Sequence, residues 1–137
     1  MASESKSPAS DPARVLVLYD SRGATADLAQ AVLAGAQAVD GVVVRDLVID
    51  DAQPADLLQC DALILGSPNW TGMTGKLKNW MDYTGDLWES GELAGKVAGC
   101  FTAGWSRSGG TEVTLLQLMH LLVGHGMIFV GLPWTDA

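Results

Sequence analysis

Apolar residues in this chain fall into short unbroken runs separated by stretches with helical spacing. Val15–Tyr19 (VLVLY), Val42–Leu47, Ala62–Leu65, Lys96–Thr102 and Met127–Leu132 read as strands. Between them, Ala26–Ala38 is Ala-rich, with Leu28, Val32 and Leu33 at helical intervals, and Asp40-Gly41 closes it. Pro54–Gln59, Lys76–Tyr83 and Glu112–Val123 read as further helices, and Gly85–Gly91 as irregular. Strands that are Val/Ile/Leu-rich throughout are covered on both faces, and their alternation with helices predicts a doubly wound parallel sheet with right-handed crossovers. Ligands of such sheets bind beyond the carboxyl ends of the strands, at the point where strand order reverses. The loops after the first, third and fourth strands are therefore the candidates for chemistry.

The first loop is Asp20-Ser21-Arg22-Gly23-Ala24-Thr25, leading straight into a helix. Small residues let backbone N–H groups converge at a helix N-terminus, which favours phosphate. Ser21 and Thr25 would add hydroxyls, or would simply cap the helix. Arg22 has the geometry to pair bidentately with a phosphate or with a protein carboxylate. The loop lacks both the Gly-Lys-Ser/Thr of a Walker loop and a G-x-G-x-x-G fingerprint. The second loop, Ser67–Gly75, includes Pro68, Asn69, Trp70, Thr71 and Gly72. Trp70 has no apolar neighbours at strand or helix spacing, which suits stacking on a flat ligand or burial in an interface. The third loop follows Thr102 as Ala103-Gly104-Trp105-Ser106-Arg107-Ser108-Gly109-Gly110, again with an isolated Trp.

Length and charge narrow the reading. The 137 residues suit one domain, with residues 1–12, rich in Ser, Pro and charge, expected to form a mobile tail and residues 13–137 the folded part. The tail has no apolar core of the kind a signal peptide needs. A net charge of −8 disfavours nucleic acid or an anionic membrane as partner and permits docking to a basic protein. The apolar stretch Leu115–Leu132 is interrupted by Gln117, His120 and Gly124-His125-Gly126, so a break is expected there in place of a membrane span. Cys60 and Cys100 read as buried reduced thiols, consistent with a cytoplasmic protein, and no metal site is assigned.

With these residues in view, the chain resembles the flavodoxin-like family, and within it is most similar to the WrbA-type NAD(P)H:quinone oxidoreductases. The similarity runs from Arg14 to Pro133 and is carried by Ser67-Pro68 with Gly72–Gly75, by Thr84–Lys96 and by His125-Gly126-Met127. It implies a five-stranded parallel sheet in the order 2-1-3-4-5 and FMN as cofactor. It also implies NAD(P)H as electron donor, a quinone or similar flat acceptor, and a homo-oligomer, dimer or tetramer. Carried over residue by residue, Ser21–Thr25 would bind the FMN phosphate. Pro68, Asn69, Trp70, Thr71 and Gly72 would line the isoalloxazine, and Thr102, Ala103, Gly104, Trp105, Gly109 and Gly110 would form the far wall. His125 would reach the flavin region as a catalytic residue that relays or steers a proton; its other reading is a turn histidine between two glycines.

The chain also departs from the family pattern. Its first loop is one residue shorter than Ser-x-Thr-Gly-Asn-Thr, its second loop is a residue short, and the insertion between the second and third strands is missing. No helix is read after the fifth strand, which would leave an apolar patch bare unless another subunit covers it or the chain is truncated. Two rival readings remain: an electron-carrier flavodoxin without turnover, and a flavin-free interaction module on the same fold. A phosphoacceptor receiver domain is rejected because the third strand ends in Gly66-Ser67-Pro68 instead of an Asp.

Overall fold

The structure, a computed structural model, describes residues 10–134. Residues 1–9 of the expected tail and residues 135–137 lie outside the described ones. The elements in chain order are β1 (Ala13–Tyr19), α1 (Thr25–Gln37), β2 (Val42–Val48), α2 (Pro54–Gln59), β3 (Ala62–Pro68), α3 (Gly75–Asp82), α4 (Gly85–Ser90), β4 (Val97–Ala103), α5 (Thr111–Gly124) and β5 (Ile128–Phe129). The strands form one sheet in the order β2-β1-β3-β4-β5. All pairings are parallel, as the apolar runs predict. Chain order reverses between β1 and β3, so the switch point lies at the carboxyl ends of those two strands.

Alternation along β1 divides the core. Leu16 and Leu18 point to the face covered by α2, α3, α4 and α5, where Leu57, Leu77, Leu87, Leu118 and Leu122 meet Leu63 and Leu65. Val17 and Tyr19 point to the other face, where Ala29 and Leu33 of α1 pack with Phe101. The β3–β4 and β4–β5 registers put Val97, Phe101, Ile128 and Val130 on this second face. Here α1 covers β1 and its neighbours. Among the described residues no helix follows β5, and Val97, Ile128 and Val130 stand 43%, 58% and 57% exposed. The apolar strip expected where no helix follows the fifth strand is therefore exposed among the described residues.

Two elements differ from the sequence reading. Gly85–Ser90, expected to be irregular, is the helix α4; it buries Leu87 and stops at Gly91, whose φ of 71° places it in the left-handed region. Six residues are too few for a 3.6-residue period to register, and the flanking glycines mask it. β5, expected over Met127–Leu132, is confined to Ile128–Phe129. It is an edge strand with β4 as its one neighbour, and the backbone bonds Gly95 N to Gly126 O at 2.9 Å and Val130 N to Ala98 O at 2.8 Å continue the pairing at either end. Helix starts follow local chemistry: Thr74 caps α3 by accepting from Leu77 N at 3.3 Å, and Pro54 opens α2 with Asp56 accepting from Gln53 N.

Leu118 is fully buried where α5 meets the sheet. Leu118→Ala is expected to destabilise the fold by about 2–5 kcal/mol. Urea unfolding followed by far-UV circular dichroism would measure it.

Candidate functional site

Three loops converge at the carboxyl edge of β1, β3 and β4, and a buried carboxylate sits beneath them. Asp20, the first residue after β1, is wholly inaccessible to solvent. Arg22 grips it with Nε at 2.9 and 3.1 Å and Nη2 at 2.6 Å, and also donates its backbone N–H at 3.2 Å. Thr74, at the end of the second loop, donates its hydroxyl to Asp20 Oδ2 at 2.6 Å. Burial alone would push the Asp20 carboxyl up; the hydrogen bonds from Arg22 and Thr74 and the charge of Arg22 together outweigh it and hold it below its ordinary value. The first loop is thus tied to the second through an ionised group.

Beyond this anchor the first loop is open to a ligand. α1 begins at Thr25 with no side chain capping it. Ser21 is half-buried and Gly23 and Ala24 are exposed, while the Thr25 hydroxyl is buried and has no hydrogen-bond partner. An orphaned buried hydroxyl beside an uncapped helix start is unsatisfied as it stands and suits an anion. Arg22 is committed to Asp20, with its guanidinium carbon 4.3 Å from the centre of the Trp70 ring. That stack joins the first and second loops a second time.

The second and third loops are braced by Asn69. Its Nδ2 donates to Gly109 O at 2.6 Å, its Oδ1 accepts from Thr114 Oγ1 at 2.8 Å, and its backbone N–H donates to Ala103 O at 2.9 Å. The Asn69 amide is spent on holding the walls together, so its contribution to ligand contact is through position. Thr102 Oγ1 donates to Ser67 O, and Ser67 Oγ accepts from Thr74 N, stitching the strand ends below. At the tip, Thr71 has φ 52° and Gly72 φ 107°. A side chain on Gly72 would also come within 2.7 Å of Gln117 Oε1, which accepts from Met73 N. Glycine is required there on both counts. Pro68 is buried, Trp70 half-exposed, and Trp105 almost fully exposed on the third loop with Gly104, Gly109 and Gly110. Two clefts flank the loops, one of about 550 Å³ lined by Asp50, Lys76, Trp80 and Tyr83, the other of about 600 Å³ starting at Thr71 and Met73.

All the expected loop residues are brought to this one edge; His125 is not. It caps the end of α5 before β5, at the amino edge of the parallel sheet and so opposite the three loops. This corrects the expectation that it reaches the flavin region of its own chain: a residue preceding a parallel strand cannot share an edge with residues following one. His125 is buried, with Nε2 3.4 Å from Thr84 Oγ1. Thr84 gives its own proton to Met81 O at 2.6 Å, which leaves Nε2 as the donor to Thr84 and Nδ1 as a buried acceptor without a partner. Burial lowers its pKa. Asp20 and Thr74 were not among the expected site residues. A lone Asp closing an apolar strand, and a Thr before Gly75 with Leu77 three residues on, were the signals for them.

A doubly wound five-stranded sheet with an anion-ready turn at the switch point and two aromatic loops around it defines a flavodoxin-like protein. Residues 13–135 match the family model described as NADPH-dependent FMN reductase, and the chain belongs to that family. It is 34% identical to an NAD(P)H dehydrogenase (quinone) of Acidithiobacillus ferrooxidans and 36% identical to one of Chromohalobacter salexigens. Each match covers 89% of this chain and 72% of the relative. Among solved structures, a WrbA-like flavodoxin from Agrobacterium tumefaciens superposes with a TM-score of 0.75 at 30% identity, covering 90% of this chain and 79% of that one. The residues present fit the FMN that the family implies: the orphaned Thr25 hydroxyl and the uncapped α1 turn suit its phosphate, and the exposed faces of the two loops suit its ring.

Two tests follow from this geometry. Thr74→Val removes the hydroxyl that both caps α3 and serves Asp20, and is expected to cost about 1–3 kcal/mol by urea unfolding at neutral pH. Asp20, depressed in the folded state, contributes stability above its unfolded pKa that is lost as pH falls through the folded value. Weakening that depression moves the acid transition of Thr74→Val to higher pH. For His125 the sign is the same and the cause differs, because burial disfavours the charged imidazole. Its folded pKa lies below the ordinary value of 6.5, so as pH falls below about 6.5 protons bind the unfolded chain preferentially and stability declines until the folded group titrates. His125→Gln is expected to flatten that decline in an unfolding series across this range.

Proposed function

We propose that this chain is an FMN-dependent oxidoreductase that passes reducing equivalents from NAD(P)H to a quinone or a similar flat acceptor. One observation carries the reading: the buried, unpartnered Thr25 hydroxyl at the uncapped start of α1, placed at the switch point between two aromatic loops. The first-turn N–H groups of α1, with the Ser21 and Thr25 hydroxyls, hold the phosphate. Pro68–Gly72 and Thr102–Gly110 bracket the ring. The chemistry that FMN supplies when bound is hydride acceptance from a nicotinamide and two-electron reduction of the acceptor. The protein's part is to fix the ring between preformed walls and to leave a flat, apolar approach beside Trp70 and Trp105 for both substrates. The quinone class is supported by the names of the two relatives.

The proposal extends to the setting. Self-association as a dimer or tetramer is supported by the bare strip at Val97, Ile128 and Val130, since an apolar strip of this kind favours cover by another subunit. A cytoplasmic location is supported by the two free cysteines, Cys60 and Cys100. Among the described residues no helix is long and apolar enough to cross a membrane.

Purified protein is expected to take up added FMN, seen as a perturbed visible spectrum after removal of free flavin. It should then oxidise NADH or NADPH with benzoquinone in a ping-pong steady-state pattern. Bound FMN without turnover would return the chain to the electron-carrier reading, and failure to bind FMN would return it to the interaction-module reading.

A further inference from the structure

The turn that suits a phosphate lies next to a group that should repel one. Asp20 is ionised and inaccessible to solvent, and only Ser21–Ala24 separate it from the orphaned Thr25 hydroxyl. Asp27 adds a second carboxylate in the first turn of α1. Asp50, whose field reaches Arg22, is paired with Lys76 at 2.5 Å. A phosphate dianion brought here meets a buried negative charge in a medium that screens poorly. Arg22 is the one cation tied directly to that carboxylate: it forms the Asp20 ion pair at 2.6 Å, and its side chain is 39% exposed. The guanidinium also lies over the Trp70 ring, 4.3 Å from its centre. The arginine is thus held by both the carboxylate and the indole, and so joins the first loop to the second.

We propose that Arg22 is a positioning and specificity residue whose neutralisation of Asp20 lets the α1 turn accept a phosphate-bearing flavin in preference to riboflavin. It acts through the carboxylate, and its stack on Trp70 fixes it there. The inference rests on the FMN reading above and refines it, because it assigns the preference for the phosphorylated cofactor to a charge balance as well as to the turn's N–H groups. A neutral replacement leaves Asp20 as an uncompensated buried anion at the start of the turn that leads to α1. Removing both charges restores the balance without restoring the arginine.

Apo-protein titrated with FMN and with riboflavin, followed by flavin fluorescence or calorimetry, tests this without any turnover. Wild type is expected to prefer FMN. Arg22→Gln is expected to weaken FMN binding by roughly 10- to 100-fold, the range for one poorly screened like charge left near the phosphate, while riboflavin binding changes by less than about threefold. Asp20→Asn combined with Arg22→Gln is expected to regain most of the FMN affinity. This double variant carries no orphaned buried charge, so it keeps the test open if Arg22→Gln alone does not fold. Equal losses for both flavins in Arg22→Gln would make Arg22 a scaffold residue and overturn the proposal. So would unchanged FMN affinity, or a double variant that folds without regaining FMN, since the latter means direct contact with the phosphate. Wild type that binds neither flavin would refute the flavin reading itself, a result distinct from all of these.

Discussion

The ionised carboxylate of Asp20 is the constraint around which the ligand-binding edge is arranged. A charge buried at a strand end must be fully hydrogen-bonded or the fold loses several kcal/mol. Arg22 curls back from the first loop to meet it, and Thr74 reaches it from the end of the second. Thr74 also starts α3, so the direction of that helix is set by the same oxygen that serves Asp20. With Arg22 fixed, Trp70 has a cation to lie against, and the second loop closes toward the first.

A second constraint comes from Asn69. Its side chain belongs to the second loop, yet it binds the third loop at Gly109 and the first turn of α5 at Thr114. The two aromatic-bearing loops therefore have a common brace, while Trp70 stands half-exposed and Trp105 almost fully exposed. The site is built from the ends of three adjacent strands, and its residues come from 20 to 114 in the chain. A parallel sheet assembles such distant segments at one edge because its strands all end there.

Most of the architecture was legible in the sequence because burial on both faces makes parallel strands read as unbroken apolar runs. The strand order, the three loops and the bare half of the α1 face all followed from that pattern and the family resemblance. The short elements did not: α4 is below the length at which a period is visible, and β5 pairs for two residues although its apolar run is longer. The partners of charged and amide groups were also hidden. Arg22 had two possible anions, and only the fold shows that Asp20 takes it; the bonds from Asn69 to Gly109 and Thr114 are likewise invisible in the sequence. His125 is a different case. Its place before the fifth strand of a parallel sheet already puts it at the edge opposite the three loops.

The Asn69 brace also decides when the cost of ordering is met. Loops that become ordered only around a ligand charge their lost conformational entropy against affinity. Here the bonds to Gly109 and Thr114 tie the second loop to the third and to α5 within the fold itself. A ligand at this edge is then relieved of that part of the loop entropy. By the same token, loss of the flavin leaves the walls standing, and an emptied protein stays ready to be refilled.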